Sequence, residues 1–213
     1  MSDTGVYELP MFPLGSVLLP GEALPLHVFE PRYRAMVDAC MAADDGPRFG
    51  VVLIERGHEV GGGDTRGDIV TVAEIGRCLP LPDGRYVLEC VGRTRAKVTE
   101  WLEDDPYPRA MLRDWPDEPR TVAVNLGPVV ERTRTLLDIL SELAAAQGEA
   151  PPSLPILDAL TEDDVFALAA ALPLGPSDRL RILAAPDVEA RVAALADALD
   201  DVIAVAEFSR LPS

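Results

Sequence analysis

Leu24-Pro25-Leu26-His27-Val28-Phe29-Glu30-Pro31-Arg32-Tyr33 changes structural type within a few residues. Leu24–Phe29 reads as a strand, and Pro31 fits the first turn of a helix, where a missing N–H costs nothing. That helix carries Tyr33, Met36, Val37 and Cys40 at helical spacing, so one face is predicted to be buried. Upstream, Leu9-Pro10-Met11-Phe12-Pro13-Leu14 is apolar but punctuated by proline. Proline removes a ladder donor, which predicts an edge strand or a covered arm rather than a central strand.

Downstream of the helix, short apolar runs continue. Phe49–Ile54 is a continuous strand, Ile69–Ile75 alternates, and Leu79–Pro82 leads into Asp83-Gly84, a hairpin turn whose residues tolerate positive φ. Tyr86–Val91, Ala96–Trp101 and Ala110–Trp115 complete about seven strands, a set suited to a small bent sheet or barrel. After Pro119 the composition turns to Ala, Leu and Asp. Leu126, Val129, Thr133, Leu136, Leu140 and Leu143 mark an amphipathic helix stopped by Gly148. Thr161 with Asp164 resembles a capping box, and Ser177 and Asp187 are predicted N-caps. The final helix repeats Val188, Val192, Leu195, Leu199, Val202 and Ala206 and is expected to pack internally. The expected class is α+β, with a β-rich part over 1–118 and an α-helical part over 119–213.

Charge narrows the function. The 213 residues carry 36 acids against 19 bases, a net charge of -17, and both halves are acidic. A polyanion gains little by releasing counterions from nucleic acid or from anionic lipid, which disfavours both partners. Arg93, Arg95 and Lys97 make the single compact basic cluster, and the alternation reads as a charged strand face. Lys97 is the only lysine, and there are two histidines, His27 and His58. A zinc site built on several imidazoles or cysteines is therefore not expected, nor is any other metal or cofactor. Cys78 and Cys90 flank the hairpin and are read as reduced thiols, with their proximity left open. Arg32 is the first basic residue, and the longest uncharged runs, Leu9–Gly21 and Val165–Ser177, are shorter than the ~20 residues of a membrane span. A cytoplasmic protein is expected.

Catalytic constellations find little footing. Gly61-Gly62-Gly63-Asp64 lacks the Gly-Lys-Ser/Thr that a phosphate loop requires and reads as a hairpin loop. No Gly-x-Ser-x-Gly elbow is present. The pairs Asp44-Asp45, Asp104-Asp105, Asp163-Asp164 and Asp200-Asp201 fall at turns and helix ends, where the macrodipole accounts for some of them.

The opening motifs carry a resemblance. Leu9–Leu14, then Leu18-Leu19-Pro20-Gly21, then Leu26–Tyr33 resemble the start of the N-terminal, substrate-binding domain of the Lon protease family. Glu59-Val60-Gly61, Asp105-Pro106-Tyr107 and Leu172-Pro173-Leu174 agree in order. The resemblance implies a PUA-like barrel followed by a helical bundle. In full-length Lon proteases this region recognises substrates and helps assemble the oligomer, ahead of an ATPase and a Ser–Lys peptidase module. Neither module has a counterpart in this sequence, so a stand-alone, non-enzymatic polypeptide-binding module is expected, with an adaptor role in protein quality control. Its expected partners are unfolded or extended polypeptide and a protease or other protein, as a monomer or weak homodimer.

Two readings of the Phe29–Tyr33 motif stay open. In one, Phe29 and Tyr33 pack the strand–helix junction while Glu30 and Arg32 pair with neighbours. In the other, Phe12, Leu14, Phe29 and Tyr33 edge an apolar groove for extended polypeptide, with Glu30 and Arg32 beside it. The alternatives from other classes are a PUA-like nucleic-acid-binding protein and a hydrolase built on carboxylates.

Overall fold

A computed structural model describes residues 5–56, 65–120 and 123–210, which form two compact units, Met1–Pro116 and Asp117–Ser213. Gly61–Asp64, Glu59-Val60-Gly61 and His58 lie outside the described residues.

The first unit contains β1 (Tyr7–Leu14), β2 (Ala23–Val28), α1 (Pro31–Ala42), β3 (Arg48–Arg56), β4 (Thr65–Pro80), β5 (Tyr86–Trp101) and β6 (Arg109–Asp114). The strands lie in the order β2-β5-β4-β3-β1-β6, and β6 pairs again with β5, which closes a barrel. The long strand β5 makes closure possible. Tyr86–Val91 pairs with β2, and Ala96–Trp101, on the same edge, pairs with β6. Six strands are seen where the sequence suggested about seven. Ile69–Ile75 and Leu79-Pro80 are one strand, as are Tyr86–Val91 and Ala96–Trp101, because register shifts at Val72/Ala73 and Ile75/Arg77 absorb the irregular positions without ending either strand.

The position of β1 corrects the expectation of an edge strand or covered arm. It lies inside the sheet, parallel to β3 over Met11–Leu14 and antiparallel to β6 over Tyr7–Pro10. The prolines are tolerated because the two pairings follow one another along the strand. Met11 N–H donates to the Pro108 carbonyl at 2.8 Å, on the β6 side. Strand alternation then aims the Pro13 nitrogen at that side past the last β6 pair, and the Pro10 nitrogen at the β3 side before the first β3 pair. Each missing donor faces a gap in the ladder.

Two apolar clusters use opposite faces of β1. Leu9 and Met11 pack with Val52, Val70, Val72, Ala96, Ala110 and Leu112, so all five barrel strands contribute. Phe12 and Leu14 pack with Phe49, Val51, Leu88 and the predicted face of α1, Tyr33, Met36, Val37 and Cys40. The segment leading from β1 to β2 crosses β5 at Gly92. Gly21 N–H donates to the Gly92 carbonyl at 2.8 Å, and Gly92 N–H donates to the Glu22 carbonyl at 2.9 Å. A Cβ on Gly92 would stand 2.5 Å from the Leu19 carbonyl oxygen, a backbone atom that cannot rotate aside. Gly92→Ala is therefore expected to cost about 1–3 kcal/mol, read as a lower urea midpoint by fluorescence of Trp101 and Trp115. An unchanged midpoint would show that the crossing segment is not held at this point.

The second unit contains α2 (Gly127–Gln147), α3 (Val165–Ala171), α4 (Pro176–Leu183) and α5 (Val188–Ser209). Gly148, at φ 75, ends α2 as expected. Asp187 caps α5 by accepting from Ala190 N–H at 2.8 Å, and the Asp164 carboxylate accepts from Thr161 N–H at 3.0 Å and its hydroxyl at 2.6 Å. Ser177 is not the N-cap of α4. The helix begins two residues earlier than that cap implies, at Pro176 with Gly175 at the cap, because proline is preorganised for the first helical position. Arg132 on α2 pairs with Asp200 on α5, and Glu142 pairs with Arg210, both across 68 residues, so α2 and α5 run parallel. Asp117 reaches the buried Arg191 on α5 through two hydrogen bonds, at 3.0 and 2.5 Å, and the Arg191 guanidinium stacks 3.8 Å from the Phe166 ring.

Candidate functional site

The Phe29–Tyr33 junction divides the residues singled out from the sequence. Tyr33 is buried, its ring 4.3 Å from Phe12, and Phe12 in turn lies 6.0 Å from Phe49. Leu14 is buried in the same cluster. Arg32 Nε donates to Glu30 Oε2 at 3.2 Å, and its guanidinium lies 4.4 Å from the Tyr33 ring centroid. Phe12, Leu14 and Tyr33 are therefore core residues, and Glu30 and Arg32 hold each other at the start of α1. Phe29 alone turns outward, 55% exposed.

Around Phe29 the sheet adds apolar surface that the sequence reading did not single out. His27 on β2 lies opposite Val87 on β5, and Val87 lies opposite Leu79 on β4. Residues directly opposite share a face, so these three make one row across the sheet. Both His27 and Leu79 are exposed. Phe29 and His27 also line a recess of 30 Å³ with Leu81, Arg85 and Tyr86. Only part of this was present in the sequence: a two-residue turn at Asp83-Gly84 would set 79 opposite 88. Leu81 N–H instead donates to the Arg85 carbonyl at 2.8 Å, so the loop is three residues long and 79 lies opposite 87.

The edge of β2 completes the arrangement. Among the described strands β2 pairs with β5 alone. Because the Glu22 carbonyl faces Gly92, alternation aims the backbone groups of Ala23, Pro25 and His27 away from β5. Pro25 thus places its missing donor on the unpaired side. An open strand edge beside an exposed phenyl ring is the geometry that receives an extended chain by backbone hydrogen bonding.

Groups for chemistry are poorly disposed here. Burial pushes the Cys40 and Cys90 thiols up to about 12, and Cys78 is also raised by burial. All three are free thiols held in their unreactive protonated form. The carboxyls of Asp45, Asp83 and Asp164 are lowered, by hydrogen bonds from Arg48, Arg85 and Thr161 respectively, opposite to what a general acid needs. Among the described residues no three His, Cys, Asp or Glu side chains are grouped to hold a metal ion. The bases of the cluster are each engaged within the unit rather than displayed as one open charged face. Arg93 pairs with Glu74 at 3.0 Å, Arg95 is buried 4.5 Å from the Trp115 ring, and Lys97 Nζ lies 3.6 Å from that same ring. No helix among the described residues is long and apolar enough to cross a membrane.

Comparison with known proteins agrees with this architecture. The family model of the ATP-dependent protease La (LON) substrate-binding domain matches residues 8–201. Lon protease 2 of Herpetosiphon aurantiacus is 30% identical over 208 residues, covering 94% of this chain and 24% of that protein. The Lon protease of Anaeromyxobacter dehalogenans is 28% identical over 86% of this chain and 22% of its own length. The chain thus spans about a quarter of the length of these relatives. Among solved structures, a Lon N-terminal domain protein from Xanthomonas campestris superposes with a TM-score of 0.61 at 28% identity, covering 89% of this chain and 96% of that one. The N-terminal domain of a Mycobacterium avium complex Lon protease shares the fold, with a TM-score of 0.61 at 20% identity over 92% of this chain and 99% of its own. With a mixed barrel, a helical unit and a family match over most of its length, the chain belongs to the Lon substrate-binding domain family.

Proposed function

We propose that this protein is a non-enzymatic module that binds unfolded or extended polypeptide and serves as a recognition or adaptor factor in proteolytic quality control. The observation that carries the reading is Phe29, exposed at the end of a strand whose outer edge is unpaired among the described strands. Of the residues first considered, Phe29 supplies the apolar anchor, with Leu79, Val87 and His27 extending it. Phe12, Leu14 and Tyr33 serve as core that anchors the start of α1, and Glu30 and Arg32 hold each other where β2 gives way to that helix. A bound segment adds a strand to β2 through backbone groups, which gives little sequence specificity. Affinity is modest, because a shallow surface must offset the cost of ordering the bound chain.

The test is a fluorescence anisotropy titration with a labelled, permanently unfolded polypeptide and a folded protein of equal charge as control. Saturable binding to the unfolded chain alone, persisting at moderate salt, is the expected result. Phe29→Asp should weaken it about tenfold, about 1.4 kcal/mol, and leave folding intact because the side chain is exposed. Absence of binding, or binding indifferent to Phe29→Asp, overturns the proposal for this surface.

A further inference from the structure

The helical unit holds a second apolar surface. A groove of 420 Å³ runs along the parallel helices α2 and α5, with Leu140 and Leu143 on one wall and Val202 and Val205 on the other. Val205 is 69% exposed, and Phe208, three residues further along α5, is exposed as well. The volume lies within the ~300–1,000 Å³ of sites that take a ligand or a few side chains. Leu136 also lines it, so the apolar floor spans Leu136 to Leu143, two turns of helix and roughly 10 Å.

Its polar rim is acidic on balance. The charged residues lining the groove are Asp178 and Asp201, and both share a single arginine, Arg181, at 2.7 and 3.9 Å. Asp197 precedes Asp201 by one turn on the same stripe of α5. From Val192 to Ser209 that helix carries Asp197, Asp200, Asp201 and Glu207 and no Lys or Arg. A second copy of this chain would bring the same acids to the same rim, whereas a basic partner meets complementary charge.

We infer that this groove docks an amphipathic helix of a partner protein, with apolar residues at i, i+3, i+4 and i+7 on one face and Lys or Arg beside them. Two helices lying parallel with an open side between them accept the side-chain ridge of a third. Two turns of floor match that spacing of anchors. The site is separate from the strand edge at Phe29 and does not depend on it.

The experiment titrates the full chain against a labelled synthetic amphipathic helix carrying Leu at those positions and Lys elsewhere, with a second peptide in which every Lys is Glu. Saturable binding of the Lys peptide is expected, with the Glu peptide at least tenfold weaker. Val205→Asp, at an exposed position, should weaken the Lys peptide about tenfold, and Phe29→Asp should leave it unchanged. Asp201→Lys should narrow the preference between the two peptides. No saturable binding, equal affinity for both peptides, or insensitivity to Val205→Asp would overturn the inference. So would sedimentation showing a dimer of this chain that Val205→Asp dissolves, since the occupant would then be a second copy.

Discussion

Phe49→Ala should lower the stability of the barrel unit by about 3–5 kcal/mol, the cost of emptying a fully buried aromatic site. Phe49 is fully buried on β3 and borders Phe12, which carries the contact on to Tyr33 and α1. The cavity has little means of collapsing. Phe49 is paired with Ala73 on β4, which has no long side chain to swing in. The backbone around it is held by ladders on both sides of β3, to β1 and to β4. Both tryptophans, Trp101 and Trp115, lie in this unit, so urea unfolding followed by fluorescence reports the effect directly. A large fall in midpoint at constant slope is the expected result. A loss below about 1 kcal/mol would mean that the ring does not tie α1 to the barrel.

Asp117→Ala is expected to be as damaging to the helical unit, at about 3–5 kcal/mol. The reason is an asymmetry of burial. The Arg191 side chain is 4% exposed and the Asp117 side chain 41%. Deleting the carboxylate strands a guanidinium out of reach of water, whereas deleting the arginine leaves a carboxylate that water can still solvate. Arg191→Met, which keeps the bulk against Phe166 and removes the buried charge, should therefore cost much less than Asp117→Ala. Far-ultraviolet circular dichroism during urea unfolding, dominated by α2 to α5, is the readout. Equal losses in the two variants would show that packing of the Arg191 side chain, rather than its charge, is what the pair contributes.

Several elements were legible in the sequence because local chemistry decides them. Tyr33, Met36, Val37 and Cys40 are buried as their spacing requires, and Gly148 and Asp187 end and start helices through backbone geometry and a single carboxylate. The family likeness was also legible, in the order of motifs from Leu9 to Tyr33. What was hidden depends on distant partners. Two prolines made β1 read as an edge strand, and only the staggered pairing with β3 and β6 shows why they are harmless. Polar and glycine positions made β4 and β5 read as four short strands, although they form bulges within two long ones. At the candidate site, alternation alone could not tell that Phe12 and Leu14 face α1 while Phe29 faces outward. Leu79 and Val87 escaped notice because each is an ordinary residue until the hairpin sets it beside His27.

The placement of β1 between β3 and β6 has a consequence for the growing chain on the ribosome. Tyr7 meets Leu112, and Pro10 meets Arg109, so the first strand synthesised waits for the last strand of the unit. Until β6 has emerged, the Tyr7–Pro10 half of β1 presents an unpaired apolar edge, the kind of surface on which nascent chains associate wrongly. Slowing translation before β6 has left the ribosomal exit tunnel should lengthen that exposure and lower the yield of soluble protein, while a pause placed after the whole unit has emerged should be harmless.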